Sequence, residues 1–199
     1  MTEPAVPAPA TANGARGRIV DAAYDLFSRR GIRAVGIDTI VAESGVAKMT
    51  LYRNFASKDE LVLEFLRVRE QRWTRDWLQA EAERRAETPE GRLLAIFDVF
   101  HDWFQLESFE GCSFVNVLLE VTDAKSSVRR ASVEHLATIR SFVAGLATEA
   151  GIDDADGFAR QWHILMKGSI VSAGEGDRDA ARRARRLGEL LLADVTPGR

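Results

Sequence analysis

The sequence has little of what many enzymes and secreted proteins require. Its single cysteine, Cys112, excludes an internal disulfide and is typical of a reducing compartment. The three histidines, at positions 101, 135 and 163, have no metal-ligand spacing, and neither a P-loop nor a dinucleotide-binding glycine motif occurs. We therefore expect no enzyme activity, no metal site and no cofactor. A catalytic dyad of Cys112 and a histidine is the alternative that spacing leaves open.

The chain also lacks a long apolar run. No stretch approaches the ~20 apolar residues of a membrane-spanning helix, and the first residues lack the regions of a signal peptide. We therefore expect a cytoplasmic protein that does not enter a membrane. Three of the five prolines fall within the first nine residues, so we expect residues 1–14 to form a disordered arm.

Charge is unevenly distributed along the 199 residues. Residues 1–58 hold eight Lys or Arg and five Asp or Glu, a net charge of +3, whereas the remainder carries −6. A basic N-terminal part followed by an acidic part favours contact with nucleic acid at the N-terminal end only. Beyond the arm, apolar residues recur at helical spacing and no strand pattern is found. We predict an all-α protein with about nine helices.

Residues 36–55 are typical of two short helices joined by a tight turn. Gly45 suits a left-handed helix cap, and Leu51 and Phe55 lie one helical turn apart on the inner face. A short helix whose outer face carries donors and positive charge can enter the DNA major groove. The outer or flanking positions are Lys48, Thr50, Tyr52, Arg53 and Asn54. A helical hairpin that binds no DNA has the same spacing.

The motifs around this hairpin resemble those of the TetR family of transcriptional regulators. The resemblance extends from Arg18 to about Leu66 and includes Gly45-Val46, Thr50-Leu51-Tyr52, Phe55 and Ser57-Lys58-Asp59-Glu60-Leu61. Ala47 departs from the family, which usually has Ser or Thr at the cap of the recognition helix. Alanine offers no side-chain acceptor there, at a cost of about 1 kcal/mol.

The resemblance implies a helix-turn-helix domain over residues 15–60 and a helical ligand-binding and dimerisation domain over 61–199. It implies a homodimer whose two recognition helices bind a near-palindromic operator in double-stranded DNA. Arg53 and Asn54 are the side chains most able to read base edges, and contact with phosphate is the alternative for either. The expected phosphate contacts are Thr39, Lys48, Thr50, Tyr52 and Lys58.

Ser57 and Glu60 form a predicted capping box that opens a long helix ending near Arg85. By the resemblance, a ligand in the second domain would move this helix and release the DNA. Gly111-Cys112-Ser113-Phe114 with Asn116 is similar to the start of the ligand domain in one group of these regulators. The predicted ligand-pocket residues are Phe100, Trp103, Phe104, Cys112, Phe114, Asn116, Val117, His135, Trp162 and Met166.

Alternatives remain for each of these features. The aromatic residues suit a closed core as well as a pocket, and Cys112 suits a redox sensor as well as a pocket wall. The last two helices carry stripes that suit a dimer interface or packing within one chain: Phe158, Trp162, Leu165, Ser169, Ala173, Leu187 and Leu191. We predict a small-molecule-responsive regulator, usually a repressor in this family. The alternative is a DNA-binding regulator controlled by a protein partner. The effector, the operator and the direction of control are left open.

Overall fold

The computed structural model describes residues 14–195, so the predicted arm lies outside the described residues except for Gly14. Within this range every regular element is helical, which confirms the predicted all-α class. The helices are α1 (Ala15–Arg30), α2 (Ile37–Ser44), α3 (Lys48–Asn54), α4 (Lys58–Arg69), a π-helical segment (Glu70–Gln79), α5 (Ala80–Arg85), α6 (Pro89–Gln105), α7 (Ser113–Glu120), α8 (Ser127–Glu149), α9 (Ala155–Gly174) and α10 (Ala180–Val195).

The predicted long helix is present and begins at the predicted capping box. The Glu60 N–H donates to Ser57 Oγ at 3.1 Å, and Glu60 Oε2 accepts from the Ala56 N–H at 2.7 Å. The helix continues through the π-helical segment into α5 and ends at Arg85. Counted as one helix, these three segments bring the number among residues 14–195 to nine, as predicted. The π-helical segment was not predicted. Such segments are rare in proteins, and those that occur often lie at functional sites.

The chain forms two compact units. The head unit comprises the described residues up to Arg72 together with Cys112–Leu136. The body unit comprises Trp73–Gly111 together with the described residues from Ala137 onward. The head unit therefore includes α4, α7 and the start of α8 beside the helix-turn-helix. The predicted boundary at residue 60 separates a DNA-binding domain from a ligand-binding and dimerisation domain, as the family resemblance implies. This boundary stays a prediction.

In the head unit, α1 is the central helix against which α2, α3 and α4 pack. Its apolar face is buried, with Ile19 and Ala23 fully enclosed. Two ion pairs join α1 to the long helix: Arg16 to Glu64 at 3.0 Å and Arg72 to Asp21 at 3.2 Å. These contacts join α1 to the long helix within the head unit.

In the body unit, α6 packs against α5, α9 and α10. Arg85 of α5 pairs with Asp102 of α6 at 2.8 Å, and Arg185 of α10 lies 3.2 Å from Asp98 of α6. Gly188 lets α10 approach the ring of Trp162, because a Cβ there would lie 2.7 Å from the ring. The body core is consequently built around the aromatic residues of α6 and α9.

Candidate functional site

The predicted helix-turn-helix is present at α2 and α3. Gly45 ends α2 in the left-handed conformation, with φ 63° and ψ 25°, and its N–H donates to the Val41 carbonyl. Val46 is buried in the turn. Leu51 and Phe55 are almost fully enclosed, as their spacing predicted. The opposite face of α3 is consequently free to meet a ligand.

The predicted DNA contacts lie on or beside this free face. Thr39, Lys48, Tyr52 and Arg53 are exposed, and Thr50, Asn54 and Lys58 are half-buried. Among residues 14–195, Arg53 has no hydrogen-bond or ion-pair partner, so its guanidinium is available to DNA. Its five N–H donors and fixed charge suit the O6 and N7 acceptors of guanine.

Two other predicted contacts are already engaged. Lys48 Nζ lies 2.7 Å from Asp38 Oδ1, and the hydrogen bond and charge of Asp38 raise the pKa of Lys48. Asn54 Nδ2 donates to the Thr50 carbonyl at 2.8 Å. Each nitrogen keeps further N–H donors for DNA, two on the Lys48 ammonium and one on the Asn54 amide, but its position is set by the partner that it already has. Arg53 is therefore a better candidate for base readout than Asn54.

The start of α3 shows how the helix begins at Ala47 without a capping side chain. The Thr50 N–H donates to the Ala47 carbonyl at 2.8 Å, and the Leu51 N–H donates to the same oxygen at 3.2 Å. In this tight first turn, the Thr50 N–H donates to a backbone carbonyl instead of to the side-chain oxygen of a Ser or Thr cap.

Met49, which was not among the predicted DNA contacts, is 66% exposed on α3. It precedes Arg53 by four residues and therefore lies on the same helical face. An exposed thioether among polar side chains is suited to contact with the methyl group of thymine. The spacing of four residues from Arg53 could have identified Met49, but an apolar side chain was not expected among the DNA contacts.

The predicted ligand-pocket residues fall into both compact units. Those of the body unit are all buried: Phe100, Trp103, Phe104, Trp162 and Met166. Those of the head unit are Cys112, Phe114, Asn116, Val117 and His135. Asn116 is exposed and His135 is half-buried, whereas the other three are buried. Burial of Cys112 disfavours the sensor alternative, because a sensing thiol needs to be accessible.

The rings of the body unit form a connected cluster that sequence analysis had predicted in part. The ring centroids of Trp162 and Phe97 lie 5.1 Å apart, and those of Phe97 and Phe100 lie 6.5 Å apart. Phe100 continues to Trp73 at 5.9 Å. Trp73 and its neighbour Trp77 belong to the π-helical segment and were not among the predicted pocket residues.

Within the body unit, the aromatic cluster and the π-helical segment hold three buried polar atoms that lack a hydrogen-bond partner among the described residues. These atoms are Trp73 Nε1, Thr74 Oγ1 and Trp162 Nε1. Trp73, Thr74 and Trp162 are at most 2% exposed. A buried donor without an acceptor costs about 1–3 kcal/mol, so these groups are suited to an added acceptor.

In the head unit, α7 and the start of α8 are closely joined. The rings of Phe114 and His135 stack with centroids 5.2 Å apart, and Ser132 Oγ donates to the Phe114 carbonyl at 2.6 Å. Burial lowers the pKa of His135, which favours the neutral imidazole.

The predicted dimer-interface residues are divided between inner and outer faces. Phe158, Trp162, Ser169 and Ala173 are buried within the chain, because the regular stripe of α9 faces the body core. Leu165 and Leu191 are half-buried and Leu187 is exposed. The exposed apolar residues of these helices are Ile164, Val171, Leu187 and Leu190. A groove of about 510 Å³ follows α10, lined by Asp179, Arg182, Arg183, Arg186, Leu187 and Leu190.

Two family models match the chain. The model described as "Bacterial regulatory proteins, tetR family" matches residues 19–65, which include α2 and α3. The model described as "Tetracyclin repressor-like, C-terminal domain" matches residues 89–187. The chain belongs to the TetR family of transcriptional regulators. It is accordingly a DNA-binding regulator, and its helix-turn-helix is the DNA-binding element. No helix within residues 14–195 is long and apolar enough to cross a membrane.

Curated relatives of this TetR-family chain match only part of it. The HTH-type transcriptional repressor KstR2 of Mycobacterium tuberculosis is 40% identical over 55 residues, 28% of either chain. The HTH-type transcriptional activator FasR of Mycolicibacterium smegmatis is 35% identical over 95 residues, 47% of this chain and 42% of FasR. The chain thus spans less than half the length of these relatives.

Solved structures match nearly the whole chain. A TetR-family regulator from Streptomyces coelicolor is 28% identical with a TM-score of 0.81, covering 91% of this chain and 89% of its own. A putative TetR regulator from Streptomyces avermitilis is 26% identical with a TM-score of 0.82, covering 92% and 98% respectively. These neighbours confirm the fold of a helix-turn-helix followed by a helical C-terminal part.

Proposed function

We propose that this regulator is a homodimeric repressor that binds a near-palindromic operator and releases it when a small molecule binds. The observation that carries the DNA-binding part is the free face of α3. Arg53 is exposed and unengaged among the described residues, and it is held in place by the buried Leu51 and Phe55 on the opposite face. Two such helices related by a dyad read two half-sites about one helical turn apart.

Selection of bound sequences from random DNA tests this part of the proposal. We expect a recovered site with dyad symmetry. Arg53→Ala should lower discrimination between that site and random DNA by about 1–3 kcal/mol, or roughly 5–150-fold. Arg160→Ala removes an exposed arginine from α9 and serves as the charge-matched control. Unchanged sequence preference in Arg53→Ala would refute the assigned role.

The proposed dimer uses the exposed apolar residues of α9 and α10. Ile164 and Val171 lie two helical turns apart on α9, and Leu187 and Leu190 lie one turn apart on α10. Each is more than half exposed, so each helix carries an exposed apolar stripe of the kind that marks an interface. We expect a dimer by light scattering, and a monomer with weakened operator binding for Leu187→Glu. Leu119→Glu changes a similarly exposed leucine on α7 and should leave the dimer intact. A dimeric Leu187→Glu variant would contradict this interface.

The proposed effector site includes the aromatic cluster of the body unit. The cluster is apolar, and its unpaired Trp73 and Trp162 N–H groups and the Thr74 hydroxyl are suited to hydrogen-bond acceptors. A small molecule that combines an apolar frame with carbonyl or carboxylate oxygens fits this chemistry. Acquiring an acceptor would remove the cost of the buried unpaired groups.

A screen for release of the operator complex tests effector control. We expect hits to carry an acceptor, and Trp162→Phe to weaken their effect about 5–10-fold because it removes one N–H and keeps most of the ring contacts. Phe158→Leu changes a neighbouring ring without removing a donor and is the control. Equal responses of Trp162→Phe and wild type would contradict a role for the Trp162 N–H.

The proposed direction of control is repression, as the name of KstR2 states for that relative. FasR is named an activator, so the names of these relatives include both directions of control. A reporter placed behind the selected operator distinguishes the two. We expect expression to rise when the regulator is deleted, and a fall would establish activation.

A further inference from the structure

The C-terminal end of α7 is hydrogen-bonded directly to the loop between α1 and α2. The Glu120 carboxylate accepts from the Arg33 N–H at 2.7 Å and from the Ile32 N–H at 3.3 Å. These two amides follow the end of α1 and precede α2, the first helix of the helix-turn-helix. One side chain on α7 therefore holds the backbone that leads into the DNA-binding element.

Gly31 makes this close approach possible. It ends α1 with φ 76° and ψ 162°, a conformation that is essentially restricted to glycine. A Cβ at this position would lie 2.6 Å from Glu120 Oε1, closer than the two atoms can approach. The loop and the carboxylate are thus fitted to one another, and a change in the position of α7 must move the loop or break both hydrogen bonds.

The start of α8 holds α7 near both ends. Arg129 Nη1 donates to the carbonyls of Leu118 and Val121, at 2.7 and 2.8 Å, and so caps the C-terminal end of α7. Ser132 donates to the Phe114 carbonyl near the N-terminal end. Because both ends of α7 are tied to the same helix, we expect a displacement at its first turn to reach Glu120.

We propose that Glu120 is a positioning residue that couples α7 to the helix-turn-helix through the backbone of Ile32 and Arg33. The first turns of α7 carry the predicted ligand-pocket residues Phe114 and Val117, so this coupling rests on the proposed function for its trigger. It is a second connection beside the long helix that begins at Lys58. Its action is to set the position of α2, and hence of α3.

Amide hydrogen exchange tests the contact without an operator or an effector. Glu120→Ala should accelerate exchange at Ile32 and Arg33 by at least tenfold, since hydrogen bonds to a charged group contribute about 1.5–3 kcal/mol. Glu120→Gln keeps one acceptor oxygen, so its exchange rates at these amides should lie between those of wild type and Glu120→Ala. Leu119→Ala, at an exposed neighbouring position on α7, should leave these amides unchanged. Unaltered exchange in Glu120→Ala would overturn the proposal.

A double-mutant cycle tests the coupling itself. Val117→Ala alters a buried residue of α7, and we expect it to change the affinity for the selected operator at least threefold. In the Glu120→Ala background the same substitution should change affinity less than half as much. Equal fold-changes in both backgrounds, or none in either, would overturn the proposal. Phe114→Leu provides a second perturbation if Val117→Ala unfolds the chain.

Failure of the proposed function is recognised separately from failure of the coupling. If no small molecule releases the operator, effector control is wrong, yet the cycle still measures communication between α7 and DNA. If wild type selects no operator, the cycle is read from exchange at the α2 and α3 amides instead. Loss of the Val117→Ala effect there in the Glu120→Ala background supports the coupling, and its persistence overturns it.

Discussion

Replacing Gly31 with alanine probes the backbone and the Glu120 contact together. An alanine in the conformation of Gly31 costs of order 1–3 kcal/mol. Its Cβ would also displace the Glu120 carboxylate, weakening hydrogen bonds that contribute about 1.5–3 kcal/mol. The lower entropy of alanine in the unfolded chain offsets about 0.4–1 kcal/mol. We therefore expect the free energy of unfolding to fall by about 2–5 kcal/mol.

Two other glycines of the head unit separate these contributions. Gly45 also has a positive φ, 63°, but no atom lies within 4 Å of a Cβ built there. Gly45→Ala should therefore show the backbone cost alone, about 1 kcal/mol after the entropic offset. Gly36 has φ −86° and equally open surroundings, so Gly36→Ala should be roughly neutral, because the entropic gain is offset by the preference for glycine over alanine at the N-cap of α2.

Urea denaturation of the three variants measures the differences, because the midpoint shifts with stability when the slope is constant. The ranking should be Gly31→Ala least stable, then Gly45→Ala, then Gly36→Ala. In the Glu120→Ala background, the effect of Gly31→Ala should shrink to its backbone part. A loss for Gly31→Ala no larger than for Gly45→Ala would refute the reasoning, and so would a loss that Glu120→Ala leaves undiminished.

Three further predictions concern DNA reading, pH and helix capping. Replacing the operator thymines by uracil removes their methyl groups. At one position this should lower the operator affinity of wild type about fourfold, and it should leave the affinity of Met49→Gln unchanged, because that variant lacks the side chain that contacts the methyl group. Burial, aided by nearby cations, lowers the pKa of His163 to about 4, below its ordinary 6.5. Between pH 6.5 and 4 the unfolded chain therefore binds more protons than the folded chain. The free energy of unfolding, measured by calorimetry, should fall by up to about 3 kcal/mol as the pH is lowered from above 6.5 towards 4. The fall should be much smaller in His163→Leu. Ser57→Ala should lower the free energy of unfolding by about 1 kcal/mol, measured from the urea midpoint, whereas Ala47→Ser should add less than this, because the Thr50 N–H already donates to the Ala47 carbonyl.

The features that the sequence predicted best depend on local interactions. Gly45 ends α2 because a left-handed cap requires glycine, and Ser57 begins α4 because its hydroxyl accepts a nearby N–H. Leu51 and Phe55 face inward because helical spacing places them together. Each of these inferences needs only residues within one or two turns, and each is confirmed.

Features that depend on distant residues were not predictable. The Glu120 contact joins residues 87 and 88 positions apart, and neither Glu120 nor Ile32 carries a motif that indicates the other. Periodicity showed that α9 has an apolar stripe, but it could not show that Trp162 packs within the chain while Ile164 stays exposed. No sequence signal marked the π-helical segment. Spacing identifies a face of a helix, and tertiary packing decides what covers it.

The energies available at Glu120 are of the size that regulation requires. A ligand that lowers operator affinity a hundredfold must favour the unbound arrangement by about 2.7 kcal/mol. Two hydrogen bonds from backbone amides to one carboxylate contribute a comparable amount, so their loss is enough to alter the preference of the helix-turn-helix for DNA. Because a ligand shifts an equilibrium only through contacts that differ between the two states, an effector touching α7 acts in part through the contact of Glu120 with the loop. Glu120→Ala should therefore still bind the operator, yet its Kd should rise less with saturating effector than that of wild type. An undiminished rise would show that the long helix alone carries the response.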